Sequence, residues 1–522
     1  MHACLRIPEL VAEICSHLYT DCVFPARGDL VAFAKTSSTF SSHALPLVWK
    51  SVNLMDLLRL LPEQCFTLET SQSSYDGTKV TMRPSRPLRD CDLERVLFYI
   101  ASVQHLIVDA RLQDATPMLA GAGSRLSESL FPVLRGLQWT HEGNNSDVEL
   151  IKYFLNPHLT ELRIPSASLA LLTSLSTLAS SDLQLKADYA FLECLRGLHR
   201  IENMTAETLD ELALQRLSGL PTLRELRLEE VLISDLPVFR ADKGKISFPS
   251  LQKLFFSTFF IYCPTLFLAY CCKSPLVELN VECGGRFCTT EEVQVLFHGA
   301  ALGISHSTLK DFRFNNVPEA NANTPLLPPR NRNNHIITSG SLRDLCCFHN
   351  LVSVYVLSGV GIDLDDDTVL DMASSWPHIE RLELRSHHGT YSPRATLRCL
   401  KSFNRFCPKL TKLCMPLGAS VGVLPAVLID AAPLESLREI DVEASSLAEV
   451  YVQPVARYFA HLFPRLKMLE TIVDSLKGKK EREGELPSQA LVSHPHWRRV
   501  ARILNLREDE EETQTNEVAV MK

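Results

Sequence analysis

The side chains best suited to chemistry are a cluster of four aspartates: Asp363, Asp365, Asp366 and Asp367. Their carboxylates could supply oxygen ligands to calcium, but the glycine and the closing glutamate of an EF-hand loop are missing. Acidic residues are also typical of the first turn of a helix, where they interact favourably with the backbone dipole. We therefore predict that this cluster begins a helix and binds no metal.

Cysteine and histidine side chains offer a second kind of metal chemistry. A zinc site is suggested by the adjacent pairs Cys271-Cys272 and Cys346-Cys347, together with Cys283 and Cys288. Adjacent cysteines rarely chelate one tetrahedral ion, and these lie in apolar phrases, which favours core packing. His387 and His388 follow a predicted strand, where a solvated turn is the ordinary outcome. We predict no metal and no cofactor.

Three common enzyme signatures are missing from the chain. It has no phosphate-binding Gly-x-x-x-x-Gly-Lys loop, no His-Glu-x-x-His and no Cys-x-x-Cys. We therefore predict no catalytic residues, with an enzyme whose site is dispersed along the chain as the weakest alternative.

Composition limits the remaining classes of function. The chain has 522 residues, of which 46% are apolar, and this is enough to fill a large core. A net charge of −8 argues against a broad nucleic-acid surface, which needs clustered lysine and arginine. The N-terminus lacks the pattern of a secretory signal, so we expect a cytoplasmic or nuclear protein with mostly free cysteines.

The stretch from Leu254 to Cys272 carries no formal charge and approaches the length of a transmembrane helix. The repeat described below accounts for it better. Leu254 to Phe256 completes a strand, Pro264 interrupts the stretch, and Thr265 to Cys272 fits a buried helix. We expect no membrane span.

Most of the chain repeats one phrase, best seen in Trp376-Pro-His-Ile-Glu-Arg-Leu-Glu-Leu384. In a short strand, Leu382 and Leu384 point to one side with Ile379 in the core, whereas Arg381, Glu383 and Arg385 point to the other. The other copies are Pro132–Trp139, Pro157–Ile164, Pro221–Leu228, Pro249–Phe256, Pro275–Val281, Leu309–Phe314, Leu351–Val356, Pro408–Met415, Leu437–Val442 and Pro464–Leu469.

Most copies are spaced by about 25 to about 33 residues, which is within or just beyond the range of leucine-rich repeats. Each repeat is predicted to supply one strand and one helix, and stacked repeats share a continuous core in a curved solenoid. One such helix is predicted at Asp365 to Trp376, buried partly by Val369, Leu370 and Met372. A degenerate repeat is expected to hide a strand at Leu183–Leu185 or Leu195–Leu198.

The first 50 residues have a different pattern, with apolar spacing typical of three short helices. This part of the chain resembles an F-box. The resemblance is carried by Ile7-Pro-Glu-Leu-Val-Ala-Glu-Ile14, Asp29 to Lys35 and Leu45-Pro-Leu-Val-Trp49. Ile7 replaces the leucine that opens the family pattern, and the loop from Tyr19 to Gly28 is extended. The alternative is an ordinary helical cap on the first repeat.

The F-box resemblance implies a partner and a function. F-box modules bind a Skp-type adaptor, which links them to a cullin-RING ubiquitin ligase. The residues that match the adaptor-binding face or its support are Pro8, Glu9, Leu10, Ile14, Leu18, Leu30 and Trp49.

Longer phrases carry a second resemblance. The chain is similar to the F-box leucine-rich-repeat proteins abundant in mushroom-forming fungi (basidiomycetes). The phrases that carry this similarity are Arg86-Pro-Leu with Asp92 to Tyr99, Ala373 to Leu384, and Val455 to Leu466. The fold class expected is α/β, with an N-terminal three-helix F-box followed by a leucine-rich-repeat solenoid.

The predicted organisation has five parts. They are an F-box-like module at 1–52, a connector at 53–89, a repeat solenoid at 90–473 with a loop insertion at 317–336, a charged loop and C-terminal helix at 474–506, and an acidic disordered tail at 507–522.

Polar residues alternate with the core residues along the repeat strands and would form a concave face. Such a face is the usual ligand surface of a solenoid, so we predict that it binds a protein substrate. The residues assigned to it are Glu225, Arg227, Glu278, Asn280, Arg313, Arg381, Glu383, Arg385, Glu439 and Asp441.

The hypothesis from the sequence is therefore the substrate-recognition subunit of an SCF-type ubiquitin ligase, without catalytic activity of its own. The alternative is a protein-interaction scaffold whose F-box is degenerate and has no ligase role. The sequence does not identify the substrate.

Overall fold

The computed structural model describes residues 7–19, 27–73, 77–86, 88–108, 130–139, 154, 158–164, 200–206, 217–229, 248–270, 274–318, 331–386, 394–418, 432–475 and 488–506. The chain divides into two compact units, Met1–Arg227 and Leu228–Lys522. Each unit is described separately.

Three helices open the first unit: α1 (Pro8–Leu18), α2 (Arg27–Thr36) and α3 (Ser38–Val48). Pro8 occupies the first turn of α1, where its missing N–H costs nothing, and the Ser37 hydroxyl caps α3 by accepting from the Thr39 N–H at 3.3 Å. The helices surround a small core of their own, in which the rings of Phe33 and Phe40 stack at 4.3 Å. The three helices lie in the part of the chain where the apolar spacing predicted them.

A parallel sheet begins immediately after α3. Strand β1 (Ser51–Asn53) pairs with β4 (His105–Val108), and the ladder continues through β5 (Gly136–Trp139), β6 (Glu161–Ile164) and β7 (Asn203–Ala206). The sheet therefore starts at Ser51, before the repeat solenoid predicted at 90–473.

The stretch interpreted as a connector contains regular structure. Helix α4 (Leu54–Leu58) follows β1, and β2 (Phe66–Ser73) and β3 (Gly77–Pro84) form an antiparallel hairpin. Its serine and threonine content suggested a loop, but threonine also favours strands. Helix α5 (Asp90–Ile100) contains the phrase Asp92 to Tyr99 of the second resemblance.

An ion pair joins the hairpin to the start of α5. Arg86 donates to both carboxylate oxygens of Asp92, at 2.6 and 2.8 Å, and the Arg89 N–H donates to the same carboxylate at 2.8 Å. These hydrogen bonds hold the pKa of Asp92 well below its usual range. They explain why Arg86 and Asp92 belong to one sequence phrase.

In the described residues of the second unit, eight parallel strands follow one another in space in the order of the chain. They are β9 (Lys253–Thr258), β10 (Glu278–Cys283), β11 (Asp311–Asn316), β13 (Ser353–Ser358), β15 (Arg381–Ser386), β16 (Lys412–Cys414), β17 (Glu439–Asp441) and β18 (Met468–Glu470). A separate two-stranded ladder consists of β12 (Ile336–Thr338) and β14 (Gly361–Asp363). Strand β8 (Glu225–Glu229) spans the boundary between the two units.

Helices alternate with these strands. They are α6 (Tyr262–Tyr270), α7 (Thr290–Gly303), α8 (Ser339–Arg343), α9 (Asp366–Ser375), α10 (Leu400–Phe406), α11 (Val452–Leu462), α12 (Ile472–Ser475) and α13 (Ser488–Ile503). One parallel strand per repeat, with leucines pointing into the core, is the architecture of leucine-rich repeats.

The phrase around Trp376 shows how one repeat is built. Helix α9 ends at Trp376, Pro377 prevents its continuation, and the Ile379 N–H closes a turn by donating to the Trp376 carbonyl at 3.2 Å. Trp376, Ile379, Leu382 and Leu384 are all completely buried, which confirms the core prediction made for the last three. The indole N–H of Trp376 donates to the Leu345 carbonyl of the preceding repeat at 3.3 Å, so this residue links two repeats.

Two details differ from the sequence interpretation. Leu370 is 43% exposed because it lies about a quarter of a turn away from the buried residues Val369, Met372 and Ala373 of α9. The strand after β6 is Asn203–Ala206, whereas the strands proposed at Leu183–Leu185 and Leu195–Leu198 fall outside the described residues.

The uncharged stretch from Leu254 forms β9 and α6, as the repeat predicted, although Pro264 lies inside the first turn of α6. Among the described residues, no helix has the length and apolar character needed to cross a membrane.

The C-terminal helix α13 lies inside the region 474–506, where the sequence predicted a charged loop and a helix. Trp497 is buried against Phe459 of α11, and its indole N–H donates to the Ser445 carbonyl at 2.9 Å. Residues 476–487 of that region, the tail at 507–522 and most of the insertion at 317–336 lie outside the described residues.

We predict that Trp376→Ala lowers the free energy of unfolding of the second unit by about 3–5 kcal/mol, because it leaves a cavity between two repeats and the Leu345 carbonyl without a partner. Leu370→Ala, on the exposed side of the same helix, should change it by less than about 0.5 kcal/mol. Urea denaturation followed by circular dichroism measures both. Equal effects of the two substitutions would contradict this account of the repeat core.

Candidate protein-interaction site

Helix α1 carries an exposed apolar surface. Its inner residues Val11 and Cys15 are completely buried, whereas Ile7 and Leu10 are each 44% exposed. Pro8 and Glu9 are also exposed. An apolar surface on a module with a filled core of its own is typical of a contact surface for a partner.

The remaining residues assigned to adaptor binding lie deeper. Ile14 and Leu18 are half-buried, and Leu30 is completely buried in the core of the helical module. Trp49 stacks on Tyr99 of α5 at 4.5 Å between ring centroids. Leu30 and Trp49 therefore support the surface of α1, and Trp49 also fixes the helical module to the first repeat.

In the second unit, polar residues cover the side of the parallel sheet that faces away from the core. We define this polar sheet face by the alternating residues of β9–β11, β13 and β15–β18. Parallel pairing aligns them in rows, one of which contains Asn280, Arg313, Tyr355, Glu383, Cys414, Asp441 and Glu470. Residues about 30 positions apart in sequence therefore become neighbours.

The predicted substrate-binding residues differ in exposure along this face. Arg313 and Arg381 are exposed and make no ion pair with any other described residue. Glu278 is half-buried and lies 3.8 Å from the Lys253 ammonium, and Asn280 donates to Glu282 at 3.3 Å. The two arginines are thus the charged groups most available to a ligand.

Two further predicted residues, Glu225 and Arg227, lie at the end of the first unit. The Arg227 guanidinium donates to the Glu225 carboxylate at 2.6 Å. Glu439 lies on the polar sheet face, where its carboxylate is 3.4 Å from the Lys412 ammonium.

An ion network occupies the polar sheet face at β15–β17. The Arg385 guanidinium donates to Glu383 at 3.0 Å, to Asp441 at 2.8 Å and to Glu443 at 3.3 Å. Glu383 and Arg385 are mostly buried, and Asp441 and Glu443 are each only 3% exposed. Asp441 was expected on an open face, but its burial keeps it from contacting a partner directly.

The environment of Glu443 alters its ionisation. Burial, reinforced by the charge of Asp441, raises the pKa of Glu443 to about 8 despite the nearby Arg385. Burial also raises the pKa of the Cys414 thiol well above its usual value, so this thiol stays protonated and donates to Glu443 at 3.2 Å. Cys414 is therefore unsuited to act as a nucleophile.

Glu443 also has an unusual backbone conformation, with a φ of 53°. Residues with a Cβ adopt this left-handed region only at an energetic cost. Two hydrogen bonds hold it there: the Glu443 N–H donates to Asp441 Oδ1 at 2.8 Å, and the Ser386 N–H donates to the Glu443 carboxylate at 3.4 Å.

Cys414, Asp441 and Glu443 place potential metal-ligand atoms within 4.8 Å of one another. The Arg385 guanidinium already supplies the positive charge that both carboxylates face. A divalent ion would have to displace this buried arginine, so the geometry favours an ion network over a metal site.

The residues first considered for chemistry have structural roles where they are described. Asp365 caps α9 by accepting from the Thr368 N–H at 2.8 Å, as predicted for a helix start. Cys283 and Cys288 are buried, and burial raises the pKa of Cys346 and Cys347 to about 11. The pairs Cys271-Cys272 and His387-His388 lie outside the described residues.

Sequence reasoning did not identify Cys414 or Glu443 as members of a cluster, because only the strand register brings them beside Arg385. It also passed over one enzyme-like pattern, Gly418-Ala-Ser-Val-Gly422, which has the spacing of a nucleophile elbow. Ser420 lies outside the described residues, so the pattern supports no assignment.

No protein-family model and no curated protein matches the chain. Among solved structures, the chain is similar to the TLR13–ssRNA13 complex, with 12% sequence identity and a TM-score of 0.36. The match covers 72% of this chain and 52% of the TLR13 chain. The chain thus spans about half the length of that TLR13 structure. An internalin, InlF from Listeria monocytogenes, has 10% identity, 87% and 96% coverage and a TM-score of 0.35.

The Rad7–Elc1 complex of yeast has 10% identity, 92% coverage of each chain and a TM-score of 0.32. Similarities this low carry no argument about function. The assignment of the fold rests on the strand pairing and the buried leucines of the chain itself.

We predict that Glu443→Gln flattens the dependence of stability on pH. The folded-state pKa of Glu443, about 8, exceeds the ordinary value of 4.5, so its contribution to stability is complete below pH 4.5 and is lost as pH rises through 8. The melting temperature of the wild type should therefore fall across this range more steeply than that of the variant. Glu380→Gln, which alters an exposed carboxylate, should keep the wild-type slope, and a wild-type slope in Glu443→Gln would refute the assignment.

Proposed function

We propose that the chain is the substrate-recognition subunit of a cullin-RING ubiquitin ligase of the SCF type. In this proposal the N-terminal helices bind a Skp-type adaptor, and the polar sheet face binds a protein substrate. The chain makes and breaks no covalent bonds itself. It acts by raising the effective concentration of the substrate near a ubiquitin-conjugating enzyme.

The observation that carries the proposal is the exposed apolar surface of α1. Ile7, Pro8 and Leu10 point away from a helical core that is already filled by Val11, Cys15 and their neighbours. Burying this surface against a partner removes apolar area from water at about 25 cal/mol per Å². A helical cap that only covered the first repeat would not need such a surface on its outer side.

Two features support a substrate on the polar sheet face. Arg313 and Arg381 are exposed there and are free of ion pairs within the described part of the chain. They lie on β11 and β15, with β13 between them, so both can contact one bound segment. The Arg385 network beside them holds the strands in place without being exposed itself.

We predict that Leu10→Glu lowers co-purification of a Skp-type adaptor at least tenfold, because a charge would be buried in an apolar interface. Leu68→Glu is the matched control, since Leu68 is similarly exposed but lies on the hairpin of the same unit. Quantitative mass spectrometry of the purified full chain measures the adaptor, and melting temperatures check folding. A wild-type chain that binds no adaptor would favour the scaffold alternative.

We further predict that the double substitution Arg313→Glu and Arg381→Glu reduces the recovery of substrate proteins at least fivefold while adaptor recovery is unchanged, because it reverses the charge of the available groups. Arg332→Glu, at an exposed position in a 3-10 helix, serves as the control. The same pull-down reports both partners. An unchanged set of recovered proteins would move the substrate site away from the polar sheet face.

A further inference from the structure

We propose that a small pocket at the carboxyl ends of β9, β10 and β11 binds a lysine or arginine side chain of a protein partner. The pocket has a volume of about 100 Å³, and the residues that line it include Ser257, Phe259, Glu282, Cys283, Asn315 and Val317. The proposal rests on the proposed function, since it names a feature of the protein that the sheet would recognise.

Glu282 supplies the charge that the site needs. It is the one ionisable carboxylate of the lining, and the other polar groups there are neutral hydroxyl and amide groups of Ser257, Thr258 and Asn315. The only hydrogen bond that Glu282 accepts within the described residues is from Asn280, at 3.3 Å. Its remaining lone pairs are available to an ammonium or a guanidinium group.

Two of the basic residues near Glu282 are already paired. Arg286, four residues after Glu282, forms an ion pair with both carboxylate oxygens of Glu292. The ammonium of Lys253 lies 3.8 Å from the Glu278 carboxylate. Arg286 and Lys253 thus have other partners, and Arg313, on the adjacent strand of the same face, forms no ion pair with Glu282. The charge at Glu282 is therefore left available to a cation from another molecule.

An exposed aromatic rim adds a second recognition element. Phe259, Phe260 and Tyr262 are 45%, 40% and 50% exposed, and Phe259 also lines the pocket. The aliphatic stem of a lysine or arginine packs well on such rings, and its charged end is attracted to their faces. Exposed aromatic residues beside a pocket are typical of the anchor points of protein interfaces.

The rim is held in place before any ligand arrives. The Phe260 N–H donates to the Thr258 hydroxyl at 3.2 Å, and the Gly284 N–H donates to the Thr258 carbonyl at 2.9 Å. A Cβ at Gly285 would lie 2.4 Å from the Phe259 carbonyl oxygen, so glycine is required for this close approach. Such preorganisation lowers the entropic cost of binding.

Peptide selection on the full chain tests the proposal. A displayed library of random dodecamers is selected against the immobilised protein. A neutral counterpart of the best basic peptide is then made, in which citrulline replaces arginine or norleucine replaces lysine. The dissociation constants of the basic and the neutral peptide are compared. Removal of the positive charge should weaken binding at least tenfold. Glu282→Gln should weaken binding of the basic peptide by a similar factor and leave binding of the neutral peptide unchanged.

Phe259→Ala should also weaken binding of the basic peptide, by at least threefold. Glu380→Gln and Phe98→Ala, an exposed carboxylate and an exposed phenylalanine outside the pocket, should not. Four outcomes would each overturn the proposal. Either no peptide is selected, or the selected peptides lack a basic residue. Alternatively, the neutral peptide binds as tightly as the basic one, or Glu282→Gln leaves binding of the basic peptide unchanged.

Adaptor recovery separates this inference from the ligase hypothesis. Glu282→Gln should retain the Skp-type adaptor in full, because Glu282 lies outside the helical module. If the wild type selects basic peptides but binds no adaptor, the pocket assignment stands and the ligase role fails. If the wild type binds the adaptor but selects no basic peptide, the ligase role stands and the pocket assignment fails.

Discussion

The fold depends on one backbone carbonyl per repeat that accepts two hydrogen bonds from the next strand. The Val352 carbonyl accepts from the N–H groups of Glu380 and Arg381, at 2.8 and 3.1 Å. In the first unit, the Gln104 carbonyl accepts in the same way from Arg135 and Gly136. This paired donation fixes where each strand begins. A slip of one residue would turn the leucines outward and the charged residues into the core.

A fixed register makes the polar sheet face possible. Glu383, Cys414 and Asp441 come from three different repeats, yet they occupy one row because each strand starts at the same place relative to its neighbour. Burial of such groups is costly unless each has a partner. Arg385 meets this requirement by contacting three carboxylates, so the network gives the face a rigid part beside the exposed arginines.

Sequence patterns were most reliable where one residue type has one physical role. Ile379, Leu382 and Leu384 were predicted correctly because an inward apolar side chain in a short repeat strand has few alternatives to the core. The strand Asn203–Ala206 was missed because its sequence, Asn-Met-Thr-Ala, lacks leucine. The Arg385 network was not predictable because alternation gives the side of a strand that a residue occupies, whereas burial depends on what lies above it. For the same reason, the sequence assigned Asp441 to an open surface.

The placement of β1 directly after α3 has a consequence for how the chain can be divided. Ser51–Asn53 covers the backbone edge of β4, a short and largely apolar strand with the sequence His-Leu-Ile-Val. A shortened chain that began at residue 54 would leave that edge open, and open apolar edges pair readily with other chains. Strand β1 therefore also protects this edge of the sheet against pairing with other chains.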